Sequence, residues 1–154
     1  MPAGSSTHAP LTHRTVLGLA KTRAEAPLVA IDLLDESRLA AELQRFQPEA
    51  IVHCAAERRP DVVQGNPEAA HALNVEVPGT LARLAAALDV EGAGKPLMVN
   101  ISTDYVFDGT SPPYSVDDAP NPLNAYGSSK WDGERRVAAN GAEGRSTSWR
   151  VPVL

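Results

Sequence analysis

Cysteine is almost absent from this chain: Cys54 stands alone, which excludes an intrachain disulfide and fits a reducing compartment. Long apolar runs are missing too, and none approaches the length of a bilayer-spanning helix. The opening stretch MPAGSSTHAP lacks the apolar core of a secretion signal. Positive charge is in the minority, with 14 Lys and Arg against 19 Asp and Glu and a net charge of −5. That balance argues against nucleic acid or an anionic membrane as the main partner. His53 has no second ligand at metal spacing, so it is read as a structural histidine and no metal is expected. The chain reads as a soluble, cytoplasmic protein.

What is present is ordinary globular composition, 43% hydrophobic and 21% charged over 154 residues, one domain's worth of chain. Residues 1–14 are patternless and expected to be disordered. Short apolar runs at Thr15–Ala20, Leu28–Ile31, Ala50–Cys54, Leu97–Ile101 and Thr147–Val151 read as strands, Ala50–Cys54 as a buried parallel one. Glu36–Phe46 carries Leu39, Ala40, Leu43 and Phe46 at helical period, with Asp35 as its cap and Pro48 as its end. Glu57–Asp61 reads as a charged loop, in which Arg59 is a candidate for a surface ion pair. Asn66-Pro67 marks a helix start, and the helix to Val90 should bend or split near Asn74–Val77 because Pro78 removes a donor. Gly109–Asn124 is a loop rich in proline, and Ala125–Ala139 a helix stopped by Asn140-Gly141. Strands alternating with helices predict a parallel sheet covered on both faces.

The chemistry concentrates between Asn100 and Lys130. Tyr126 and Lys130 are four residues apart and project from one helix face. An ammonium beside a phenol favours the phenolate, so the Tyr126 pKa is expected to fall. A hydroxyl at a neighbouring strand end, Ser102 or Thr103, would polarise a carbonyl. These are parts for carbonyl reduction.

Thr103, Tyr126 and Lys130 resemble the triad of extended short-chain dehydrogenase/reductases. STDYVFDGT followed by PLNAYGSSKWDGE resembles the dTDP-4-dehydrorhamnose reductase branch, and IVHCAAERRPDVV resembles its subgroup of regulatory β subunits of methionine adenosyltransferase. The resemblance covers nearly all of the chain from about Thr15. It implies an α/β fold: a partial Rossmann NAD(P)-binding domain over 15–154, a doubly wound parallel sheet without its first strand. Its glycine-rich turn is missing as well, since no GxxGxxG occurs, and a C-terminal substrate lobe is expected to be absent. Such a chain is expected to be truncated, to fold poorly, and to bind its cofactor, NADP, weakly.

The resemblance also supplies roles. Tyr126 would donate a proton, Lys130 would tune it and hold the ribose, and Thr103 would bind the carbonyl oxygen. Lys21, Thr22 and Arg23 follow a strand end where basic residues suit a 2′-phosphate; a solvated basic turn is the equal alternative. Asp32 and Leu33 lie beside the adenine position. Cys54, read as a buried small residue, lines the nucleotide pocket with Ala55 and Ala56, while Arg58, Asn74 and Leu154 complete the candidate contacts. Two functions follow. One is a non-catalytic regulator that partners the catalytic subunit of methionine adenosyltransferase and tunes S-adenosylmethionine synthesis. The other is an NADPH-dependent reductase of a nucleotide-sugar ketone. A truncated fragment that does neither is the third reading.

Overall fold

The computed structural model describes residues 15–22, 25 and 28–152. They fall into two compact units that meet in sequence between Ile31 and Asp32. In the first, β1 (Gly18–Ala20) and β2 (Leu28–Ala30) pair in parallel. Both are shorter than the apolar runs that announced them, and the expectation of disorder for residues 1–14 lies outside the described residues.

The second unit begins with α1 (Glu36–Phe46), whose N-cap Asp35 accepts the backbone N–H of Arg38 at 3.1 Å. Its buried stripe is Leu39 and Leu43. The helix ends at Gln47, which turns left-handed at φ 53° and donates its N–H to Leu43, so Pro48 follows the stop rather than causing it. Next come β3 (Ala50–His53), α2 (Pro60–Gly65), α3 (Pro67–His71), a π-helical segment (Ala72–Glu76) and α4 (Val77–Ala87). β4 (Leu97–Thr103), a 3₁₀ turn (Asp104–Val106), α5 (Ala125–Asn140) and β5 (Ser146–Val151) complete it.

α2 replaces part of the expected charged loop. Pro60 takes the first helical turn, where its missing N–H leaves no orphan. Asn66 then caps α3 by accepting from Ala69 at 3.1 Å. The expected disturbance before Pro78 is the π segment, a widened turn inside an otherwise continuous helix. Gly141 ends α5 without a left-handed turn. It is small because a Cβ there would overlap the Ser146 side chain.

β3, β4 and β5 form a parallel sheet in that order. In each unit the strands are parallel, and in the second they alternate with helices. This is the NAD(P)-binding Rossmann-type α/β fold. One face of the three-stranded sheet carries His53, Met98, Asn100, Ser102 and Arg150 in register. Ser102 bonds Glu134 of α5, so this face meets that helix. Met98 is fully buried there, a burial that stabilises by roughly 1.5–3 kcal/mol. The opposite face carries Val52, Val99 and Trp149. β3, expected to be buried, is the edge of this sheet, and Val52 is 60% exposed. Among the described residues no helix is long and apolar enough to cross a membrane.

Candidate functional site

The start of α5 is set by Asn124, whose side chain accepts the Gly127 N–H at 2.7 Å. A Cβ on Gly127 would overlap the carbonyl oxygen of Tyr105, so glycine lets the helix begin directly against the 3₁₀ turn. The rings of Tyr105 and Tyr126 therefore meet edge to face with centroids 6.3 Å apart. With Arg58, Val63, Gln64, Asn124 and Ala125 they line a cavity of about 110 Å³. Tyr126 and Arg58, far apart in sequence, share one wall.

The electrostatics differ from expectation. Burial pushes the Tyr126 phenol above its ordinary value. Arg58 opposes that push, while Asp104 and Tyr105 reinforce it. The predicted fall toward phenolate does not occur, because burial outweighs the cation in view, and that cation is Arg58 rather than Lys130. Lys130 is 2% exposed. Burial lowers its pKa, opposed by Glu134 and Cys54.

Asn74 ties the site together. The π segment turns it inward to full burial. Its Oδ1 accepts the Glu57 N–H at 2.8 Å, and its Nδ2 donates to the Glu57 carbonyl at 2.8 Å and to Ser129 Oγ at 3.0 Å. Ser129 in turn donates to the Tyr126 carbonyl at 2.8 Å. Both amide hydrogens are engaged, and Asn74 clamps the Arg58 loop to α5.

Thr103 is almost fully buried and caps the turn after β4. Its hydroxyl accepts the Tyr105 N–H at 3.2 Å and donates to Asp104 at 3.2 Å. Ser102 points to the helix face of the sheet and donates to Glu134 at 2.5 Å. Arg150 grips the same carboxylate through Nε at 3.1 Å and a terminal nitrogen at 2.8 Å. Its guanidinium lies 4.9 Å from the Phe107 ring centre and 5.6 Å from that of Trp131. The sequence reading missed Glu134 and Arg150 as site residues. The available signal was a glutamate one turn past Lys130 on the same face.

Cys54, expected to be buried, is exposed together with Ala55, because β3 is an edge here; Ala56 is half-buried. Arg59 forms the anticipated ion pair, with Glu57 at 3.3 Å. Asp32 accepts the Leu34 N–H at 3.1 Å in the turn before α1, beside half-buried Leu33. Lys21 and Thr22 are exposed in the first unit. Arg23 and Leu154 lie outside the described residues. A nucleotide cofactor suits what is placed. Among the described residues, neither the Tyr126 hydroxyl nor the Lys130 ammonium is engaged in a hydrogen bond, and the alanines after β3 leave backbone accessible.

Known proteins resemble this chain in sequence and in fold. A family described as the RmlD substrate binding domain matches residues 5–152. Methionine adenosyltransferase 2 subunit beta of Xenopus laevis is 49% identical over 139 residues, which are 90% of this chain and 39% of that protein. The chain thus spans about two fifths of that relative's length. A dTDP-4-dehydrorhamnose reductase of Mycolicibacterium smegmatis is 40% identical over 112 residues, covering 70% of this chain and 31% of the reductase. The crystal structure of the Bacillus anthracis dTDP-4-dehydrorhamnose reductase in complex with NADP superposes with a TM-score of 0.70 at 28% identity, over 81% of this chain and 43% of that one.

Proposed function

The chain belongs to the RmlD substrate binding domain family, and from that premise we propose that it acts as a regulatory, non-catalytic subunit of a methionine adenosyltransferase and binds NADP. The observation that carries this reading is the 49% identity over 90% of the chain to a methionine adenosyltransferase 2 subunit beta. The state of the triad supports it. The Tyr126 phenol is pushed away from ionisation, and the Thr103 hydroxyl is engaged in capping its own turn. The phenol thus lacks the lowered pKa expected of a reductase, and the one proton of the Thr103 hydroxyl is given to Asp104. Lys130 would hold the cofactor's ribose, with the Tyr126 ring, Arg58, Ala55 and Ala56 beside the cofactor. NADP in its reduced form supplies a hydride. In this reading the bound cofactor steadies the fold and serves as a signal.

The test is co-elution. Full-length protein mixed with a methionine adenosyltransferase catalytic subunit at micromolar concentration should elute as one complex and alter the partner's kinetics. Separate elution would overturn the reading. The alternative, an NADPH-dependent reductase of a nucleotide-sugar ketone, is favoured by the intact Thr103, Tyr126 and Lys130 and by the 40% identical reductase. NADPH oxidation driven by such a ketone, lost in Tyr126→Phe, would establish it.

A further inference from the structure

The cluster under the helix face of the sheet is not explained by either reading. Glu134 is buried, and its carboxylate is shared between Ser102 on β4 and Arg150 on β5. Arg150 is itself held between the Phe107 and Trp131 rings. One side chain of α5 therefore fastens two neighbouring strands, β4 and β5. A buried carboxylate is expensive unless fully bonded, and this one accepts from a hydroxyl and a guanidinium. Lys130 stands one turn earlier on the same face and is more deeply buried still, 2% exposed against 7% for Glu134, with no hydrogen bond among the described residues.

We propose that Glu134 is a positioning residue: it orders β4, β5 and α5 around Lys130 and supplies that lysine's countercharge. Two cations, Lys130 and Arg150, are set about one anion. Also acting on or acted on by Lys130 are His53 and Cys54 at the end of β3, whereas Tyr126, one turn earlier on the helix, meets Arg58 instead. Asp104, on the turn after β4, acts on Tyr126, and Glu76 of the π segment is engaged with Arg136 at 2.8 Å. His53 is neutral, since burial and Lys130 itself both disfavour its charge. Glu134 is then the anion that sustains the Lys130 ammonium, with Arg150 competing for it. The inference uses the cofactor reading only for its consequence, a charged lysine available to a ribose.

The coupling can be read without any cofactor. The chain's lysines are Lys21, Lys95 and Lys130, so ¹³C-lysine NMR follows Lys130 while Lys21 and Lys95 serve as references. Glu134→Gln should lower the Lys130 midpoint by about one pH unit or more. Arg150→Gln, which frees the carboxylate for Lys130, should raise it. General loosening of the fold would move both variants toward the free-lysine value, hence in one direction. Opposite shifts support the countercharge. A Lys130 midpoint that stays put in either variant, or moves the same way in both, overturns it. Should Glu134→Gln fail to fold, Arg150→Gln is read together with its β4 and α5 amide protection: a raised midpoint with protection retained supports the proposal, and an unmoved or lowered midpoint, or a rise that comes with lost protection, refutes it. Absence of NADP binding with the coupling intact would instead count against the cofactor reading.

Discussion

The carbonyl oxygen of Asn74 occupies the place where a side chain on Gly133 would begin. The π segment and α5 thus cross backbone to backbone at this point. Gly133→Ala must push the two apart, and overpacking of this kind costs about 1–3 kcal/mol. Urea unfolding should show that loss. Gly65→Ala is the contrast, because nothing lies within 4 Å of a Cβ there. Reduced freedom of the unfolded chain should make it stabilising by about 0.4–1 kcal/mol. Equal effects at the two positions would contradict the crossing.

Asn74→Ala removes both side-chain bonds to the Glu57 backbone. Each buried group left without a partner costs about 1–3 kcal/mol. Beyond lower stability, the Glu57 amide should lose protection in hydrogen exchange while the β4 amides keep theirs. Continued protection at Glu57 would show that the loop is held by something else.

The cofactor reading separates Tyr126 from Lys130. Tyr126→Phe keeps the ring against Tyr105 and should change NADP affinity by less than about twofold. Lys130→Ala removes the cation and should weaken binding by about tenfold, or ~1.4 kcal/mol. Calorimetry on full-length protein distinguishes them, and equal losses would refute the assigned roles.

His53 makes stability depend on pH. Burial, then the Lys130 charge, lowers its pKa from 6.5 to about 4. Between those values the unfolded chain binds a proton that the folded chain refuses. The contribution is therefore whole above pH 6.5 and is lost as pH falls toward 4, amounting to roughly 3 kcal/mol. Urea midpoints measured from pH 7 down to 4 should fall more steeply in the unmutated chain than in His53→Gln. Parallel slopes would mean that His53 is more hydrated than its burial implies.

The local elements and their caps could be read from the residues alone. Glu36–Phe46 with Asp35 before it, the Asn66 cap and the Tyr126–Lys130 helix each depend on groups within a few residues of one another, and period and capping chemistry are local physics. So is the disturbance before Pro78, though not its form as a π segment that buries Asn74. What the tertiary structure decided rests on distance in sequence and on access to water. Ser102 and Glu134 are 32 residues apart and Arg150 and Glu134 16 apart, so no pattern within one element pairs them. Cys54 and Val52 looked buried because AIVHC is apolar throughout, yet an apolar run does not say whether a neighbouring strand covers it. The direction of the Tyr126 shift was misjudged for the same reason. Spacing placed Lys130 on the right face of the helix, but only the packed fold determines which charges a phenol meets and how much water it keeps.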